Sequence, residues 1–458
     1  MKARGSNRIE AMRRGSIWKL LFRFSGPSIV SMMVASSYNI VDAIFVGRLG
    51  PEALAAIAVA FPLMMIFMAI GLGTGVGAAS LISRRLGAGD NEGANLVAST
   101  TITLVIILGA LMTIICLPNL EALLRLFGAD ASILPLANSY MSILTTFAVV
   151  ALFSLVMSNI VRAEGNPMLA SVAMVIAALI NIVLDPVLIF GLGPIPAMGV
   201  AGAATATVIG RSVGGLILLV YLVSGRTSYR FRLGYFLPNL KILAEIYRVG
   251  TASIVRMLAG SVMMVLANRI AVSFGVIPLA INGVLLRCAS FAFMPCVGLG
   301  QGILPLIGYN FGAKQKRRVG EIVIKAGLAG FTWGTICWVI AMLFPTQIMS
   351  IFNTESQFLL DGTPALKIYA MAFFAVGIQL ILGSFFQGIG KGLPSLVLAS
   401  ARQAIFLLPA LLILPRMFGL TGLWMTFPVA DALSFILSLV WTSIEFRRQG
   451  LRFQLRYS

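Results

Sequence analysis

The chain reads as an all-α polytopic membrane protein of twelve transmembrane helices in two six-helix lobes, related by a pseudo-two-fold axis along the membrane normal. Three observations predict this. Of 458 residues, 59% are hydrophobic and only 11% charged, against about 25% charged in a soluble domain. Successive apolar runs of 20 or more residues are each long enough to cross a bilayer as a helix. The chain is also duplicated at a constant offset of 225. Ser28-Ile29-Val30 meets Ser253-Ile254-Val255, and Gly73, Gly75 and Gly77 meet Gly298, Gly300 and Gly302. Gly87-Ala88 likewise meets Gly312-Ala313, so one offset spans about 60 residues without a gap. Six spans per half is an even number, which gives both halves the same orientation and leaves a substrate cavity between them.

The twelve spans are read at 24–46, 54–80, 96–117, 136–160, 168–190, 199–223, 246–273, 279–307, 321–344, 363–387, 393–414 and 421–444. They divide the chain into an N-terminal lobe at 1–223, a linker at 224–245 and a C-terminal lobe at 246–458. Lys and Arg sort between the connections. Twenty-four lie in the tails, the linker and the loops on that same side, whereas Arg48, Arg125 and Arg416 alone lie in the opposite loops. Cytoplasmic loops collect such charge, so both termini are expected in the cytoplasm and the chain in the cell membrane. The same bias accounts for the net charge of +19 without nucleic acid as a partner. The basic N-terminus runs into a full-length helix with no small-residue cleavage site, so a removable signal peptide is not expected.

Functional classes narrow by residue type. There is no histidine, which excludes His metal sites, Ser/His/Asp triads and His proton relays and leaves carboxylates as the titrating groups. The four cysteines are scattered in apolar segments without a CxxC pair and read as small core residues. The run Gly71-Leu-Gly-Thr-Gly-Val-Gly77 sits inside a span with no preceding strand. It is expected to let helices approach closely rather than to cradle a dinucleotide. With no cluster of nucleophiles or metal ligands, an enzyme is not expected.

Three acids lie well inside spans: Asp42, Asp185 and Asp431. A charge deep in hydrocarbon costs at least about 2.5–3.5 kcal/mol, which marks it for function. Asn181 and Asp185 are four apart and share a helix face, as do Tyr38 and Asp42, with Asn39 three before the acid. If spans 1 and 5 face each other, two carboxylates, two amides and a phenol converge. Such a pocket can coordinate Na⁺ through oxygen atoms, with Asp42, Asn181 and Asp185 as ligands, or carry a proton on a strained carboxylate pair. Thr205 or Thr207 can add an oxygen, but being two apart they point to different faces. In the second half Arg256, Arg269, Arg287 and Arg402 lie within spans, with Arg211 at the end of the first half and Asp431 the deep acid on that side. Arg256, Arg287, Arg402 and Asp431, with Asn159 and Gln301, are the candidate substrate-cavity residues, and the arginines suit anionic or zwitterionic compounds.

The segment Tyr38-Asn-Ile-Val-Asp42-Ala-Ile-Phe-Val-Gly47-Arg48-Leu-Gly50 resembles the first-helix signature of the multidrug and toxic compound extrusion (MATE) transporters. The segment from Arg287 through Pro295, Gly298, Gly300-Gln301-Gly302, Pro305 and Gly308-Tyr309-Asn310-Phe311-Gly312-Ala313 is similar to the eighth-helix signature of their DinF/MepA-like branch. The resemblance implies a two-lobed antiporter that exports small organic compounds while H⁺ or Na⁺ runs inward, with no other cofactor. It places ion coupling at Asp42 and Asp185, with Asn181 and Tyr38 as helpers. NorM-like members use acids in helices 7, 8 and 10, where this chain has none mid-span. A monomer embedded in lipid is expected. The alternative is a flippase for a lipid-linked oligosaccharide or other anionic lipid, which fourteen spans would favour.

Overall fold

A computed structural model describes residues 10–451 of the chain. Among these residues the structure is helical, with one isolated bridge between Leu192 and Ile195. The membrane helices are α1 (Ile17–Gly47), α2 (Pro51–Gly87), α3 (Asn91–Cys116), α5 (Pro167–Phe190), α6 (Val200–Val223), α7 (Leu240–Ser273), α8 (Val276–Gly312) and α9 (Lys316–Leu343). Between α3 and α5, α4 is a pair, Leu134–Thr146 and Ala148–Ala163, bent by 56°. Between α9 and the C-terminal run, α10 is likewise a pair, Ser356–Ala370 and Phe373–Gly388, bent by 42°.

The remaining run, Gly392–Gln449, is nominally one helix of 58 residues. At 1.5 Å per residue it would extend about 87 Å, several times the ~30 Å apolar thickness of a bilayer. Gly419 breaks it, with φ 58 and ψ −138, into α11 (392–418) and α12 (420–449). Nine apolar helices and two bent pairs make eleven spans, and the break at Gly419 makes twelve among the described residues.

Helix ends follow local chemistry. Asp90 caps α3 by accepting from the Gly93 amide at 2.8 Å, and Asn239 caps α7 by accepting from Lys241 N at 3.0 Å and Ile242 N at 3.3 Å. Pro51 and Pro167 open α2 and α5, where a missing N–H costs nothing. Gly450 ends α12 in the left-handed conformation, which only glycine adopts freely. Several helices outrun the apolar windows expected for them. α2 continues through Arg84 and Arg85, and α7 begins at Leu240 rather than 246. Polar side chains end a membrane span without ending a helix.

The duplication persists at backbone level. Helix starts at Pro51, Asn91, Ala148 and Pro167 recur 225 residues later at Val276, Lys316, Phe373 and Gly392. Short connecting helices begin at Leu120 and Pro345, again 225 apart. Gly50 and Gly275 share φ 123. Beyond α5 the offset falls to 220, because the α5–α6 connection is longer than its counterpart. Gly199 (φ 56, ψ −132) then corresponds to the break at Gly419.

The lobes meet through α1 on α8 and α2 on α7, two contacts that the pseudo-two-fold exchanges. On the side carrying the termini this seam is closed backbone to backbone by the repeated glycines. A Cβ at Gly73 would stand 2.4 Å from the Ile254 side chain, and one at its mate Gly298 would stand 2.7 Å from the Ile29 Cα. A Cβ at Gly87 would lie 2.0 Å from the Tyr309 carbonyl oxygen, and one at Gly312 2.0 Å from that of Arg84. Each contact is the 225-shifted copy of the other. Ser80 Oγ adds a cross-seam bond to the Gln387 carbonyl at 2.5 Å.

Candidate functional site

Away from the termini the lobes separate around a cavity of about 1210 Å³. Its walls run from Met32 and Gln301 to Leu54 and Leu279, in the first turns of α2 and α8. The lining is mostly apolar and rich in methionine. Besides four serines, its polar groups are few: Tyr38, Asn181, Thr207 and Arg211 from the first lobe, Asn268, Arg287 and Gln301 from the second. Asn282 Nδ2 donates to Asn268 Oδ1 at 2.8 Å and fixes that side chain. Gln301 Nε2 reaches only the Met32 sulfur, at 3.7 Å, and its buried Oε1 has no partner.

Behind the first-lobe wall lies the acidic pair. α1 packs along α5, and α5 along α6, which brings Asp42, Asp185, Asn181 and Thr207 together. Asp185 is fully buried and Asn181 nearly so. Asn181 Nδ2 donates to Asp185 Oδ1 at 3.1 Å and lies 3.4 Å from Thr207 Oγ1. Asp42 stands close enough for its charge to act on Asp185. The buried Tyr140 hydroxyl is within electrostatic reach of both, and of Tyr38 and Arg211. Three oxygens in this cluster, Asp42 Oδ1, Asp185 Oδ2 and Asn181 Oδ1, are buried without a hydrogen-bond donor. Leaving a buried acceptor unsatisfied costs about 1–3 kcal/mol, more if charged. A set of three acceptors has the chemistry to hold a proton or a hard monovalent cation.

The second-lobe positions that correspond to Asp42, Asp185, Asn181 and Tyr38 are Ala267, Ala410, Phe406 and Met263. The repeat supplies the scaffold twice and the acids once. Among the described residues, no group of three or more His, Cys, Asp or Glu side chains could hold a metal.

Several expected positions fall elsewhere. Thr205 turns its hydroxyl to the Ala201 carbonyl of its own helix at 2.8 Å, so Thr207 alone joins Asn181. Asn159 bonds the Leu155 carbonyl at 2.9 Å and packs against Gly75; it is not a cavity residue. Arg256, Arg402 and Asp431 are not cavity residues either. Arg402 Nε meets Asp431 Oδ1 at 2.5 Å inside the second lobe, where the chain takes a π-helical turn over Ala401–Leu407. Arg256 lies near Arg402. A polar residue in a span must leave the lipid, but it can do so toward its own lobe as well as toward the cavity. The Asn39 side chain lies outside the described residues. Tyr140 and Asn268 were not anticipated; nothing in their local sequence distinguishes them, because helix packing alone brings them inward.

The family model MatE matches residues 27–187 and again 252–411, two segments whose starts lie 225 apart. The chain belongs to the MATE family. It is 28% identical over 428 residues, covering 93% of each chain, to the multidrug export protein MepA of Staphylococcus haemolyticus. A MepA of Staphylococcus aureus matches at 28% over 423 residues, 92% of each. Among solved structures it superposes on a MATE in complex with MaL6 with a TM-score of 0.91 at 31% identity, over 96% of this chain and 98% of that one. An outward-facing multidrug resistance MATE transporter of the MOP superfamily gives 0.91 at 30%, over 98% and 99%. A MOP superfamily transporter from Pyrococcus furiosus, described as having a binding pocket of reverse polarity, gives 0.90 at 31%, over 96% and 98%. This MATE chain is therefore a multi-pass membrane protein related throughout its length to transporters.

Proposed function

We propose that this MATE protein exports small organic compounds in exchange for one inward-moving cation, H⁺ or Na⁺, held by Asp42 and Asp185. The observation that carries the reading is the trio of buried, donorless oxygens on Asp42, Asp185 and Asn181. A site left short of donors in a low-dielectric interior gains when a positive ion enters it. Asn181 and Thr207 both touch the ion cluster and line the cavity, so occupancy of one is felt in the other. Tyr38 serves as a helper on α1.

Arg211 and Arg287 give the cavity two positive groups on facing walls. With apolar and methionine surface around them, this suits amphiphilic compounds that carry an anionic or zwitterionic group. The relatives named as multidrug exporters support the export direction. With both termini in the cytoplasm, the cavity faces the outside of the cell membrane, the arrangement from which substrate leaves and the cation enters. The protein works as a monomer.

Proteoliposomes carrying a fluorescent substrate panel, with either a pH gradient or a Na⁺ gradient imposed, test this. One of the two gradients drives uptake by the native chain, and Asp42→Asn abolishes it while inserting normally. Undiminished gradient-driven transport by that variant rejects the assignment.

A further inference from the structure

A second cavity lies at the opposite end of the seam, among residues the ion and substrate sites do not use. It encloses about 560 Å³ between the lobes on the terminus side. Arg84, Arg85 and Asp90 at the end of α2 form one wall, with Glu245 of α7, Lys314 and Lys316 at the α8–α9 turn, and Gln449 of α12 forming the other.

The two acids are already engaged. Arg85 lies between them, 3.6 Å from Asp90 and 3.8 Å from Glu245, and Asp90 also caps α3. Arg84, Lys314 and Lys316 have no carboxylate within 4.0 Å among the described residues. Arg84 is the unusual one. Its guanidinium packs against Gly390 of the other lobe, where an added Cβ would lie 2.4 Å from Cζ, and its Nε is buried without an acceptor. A guanidinium so placed is a donor without an acceptor.

The fold does not demand these charges. The repeat mates of Arg84, Arg85, Asp90, Lys314, Lys316 and Glu245 are Tyr309, Asn310, Gln315, Gly89, Asn91 and Leu20, all uncharged. At the turn the cost is visible. Lys314 has φ 58, the one non-glycine residue at positive φ among those described, whereas its mate Gly89 occupies the same region freely. A lysine there is strained, because in the left-handed region its Cβ crowds the following carbonyl oxygen. Strain kept at a position where the repeat offers glycine points to a use for the side chain.

We propose that this seam holds a binding site for a phosphate-bearing anion, with Arg84 from the first lobe and Lys314 and Lys316 from the second as its donors. A phosphate group in this cavity draws charge from both lobes, so its binding favours the arrangement in which the terminus side is closed. Such a group can come from a free phosphate compound or from the headgroup of an anionic phospholipid, since the site opens at the membrane surface.

The full-length protein in detergent tests this by its thermal unfolding midpoint. It is titrated with inorganic phosphate, pyrophosphate or mixed micelles of phosphatidylglycerol, each against KCl of equal ionic strength. A saturable rise with the free anions assigns a soluble ligand, and a rise with the lipid alone assigns a headgroup; either supports the site. Lys314→Gly relieves the left-handed backbone, so its unliganded midpoint is equal or higher while half-saturation moves up roughly tenfold, the loss of one charge-assisted contact. Lys316→Gln gives the same weakening without touching the turn. No saturable rise beyond KCl with any probe, or equal half-saturation in both variants and the native chain, overturns the proposal and leaves these charges as topology signals alone.

Discussion

Asp185 accepts one bond from Asn181 and still leaves an oxygen bare, and the same shortage at Asp42 is the reason the pair is proposed as a receptor for positive charge. The neighbours should therefore be separable by substitution. Thr207→Val removes an oxygen 3.4 Å from Asn181 and should weaken apparent coupling-ion affinity roughly tenfold. Thr205→Val, whose hydroxyl is spent on its own helix, should leave it unchanged; ion-dependent transport rates check both. Asp431 behaves differently because its charge is neutralised internally. Asp431→Asn strands Arg402 and should destabilise the protein by about 3 kcal/mol, the low end for a buried pair because the Arg402 side chain is 27% exposed. Arg402→Met with Asp431→Leu should recover most of the loss in thermal unfolding. At this scale the acids of the first lobe were legible, because an ionised group in an apolar span has few explanations. The choice between Thr205 and Thr207 was not. It depends on the rotation of α6 about its own axis, which a single threonine does not encode. The same blindness to rotation made Arg256, Arg402, Asp431 and Asn159 look like cavity residues.

Among the elements, α2 and α8 carry the seam. Their glycines remove Cβ atoms where carbonyls of the opposite lobe arrive, so the terminus side closes without side chains between the backbones. Gly87→Val and Gly312→Val should act alike, since each would press into a carbonyl 2.0 Å from the added Cβ. Overpacking of about 1–3 kcal/mol in the closed arrangement is a roughly 5- to 150-fold shift toward its opening. A cysteine placed at Ile246, which is fully buried on the seam, should then react faster with a thiol reagent in both variants. The spacing of these glycines was readable as a repeat, and their use in close helix approach was readable from their place inside spans. Their exact partners were not, because helices of different lobes meet only once the lobes dock. The bends in α4 and α10 also escaped, since Phe147 and Ala372 carry no proline or glycine to announce them.

For the whole molecule, duplication supplies two equivalent lobes and substitution makes them unequal. One holds the acid pair; the other holds alanines at the matching positions and keeps its deep acid closed in an Arg402–Asp431 pair. The orientation proposed here is open to a direct check. A cysteine at Arg447 should react with an impermeant reagent only after the cells are opened, while cysteines at Arg48 and Arg416 should react in intact cells. The central claim is that substrate and one cation share the first lobe at each other's expense. It is tested by measuring what purified protein releases when substrate binds, using a pH indicator in weak buffer beside a Na⁺ electrode. The account predicts release of about one H⁺ or one Na⁺ per substrate bound by the native chain, and none by Asp42→Asn. Equal release by that variant, or none by the native chain, would contradict it.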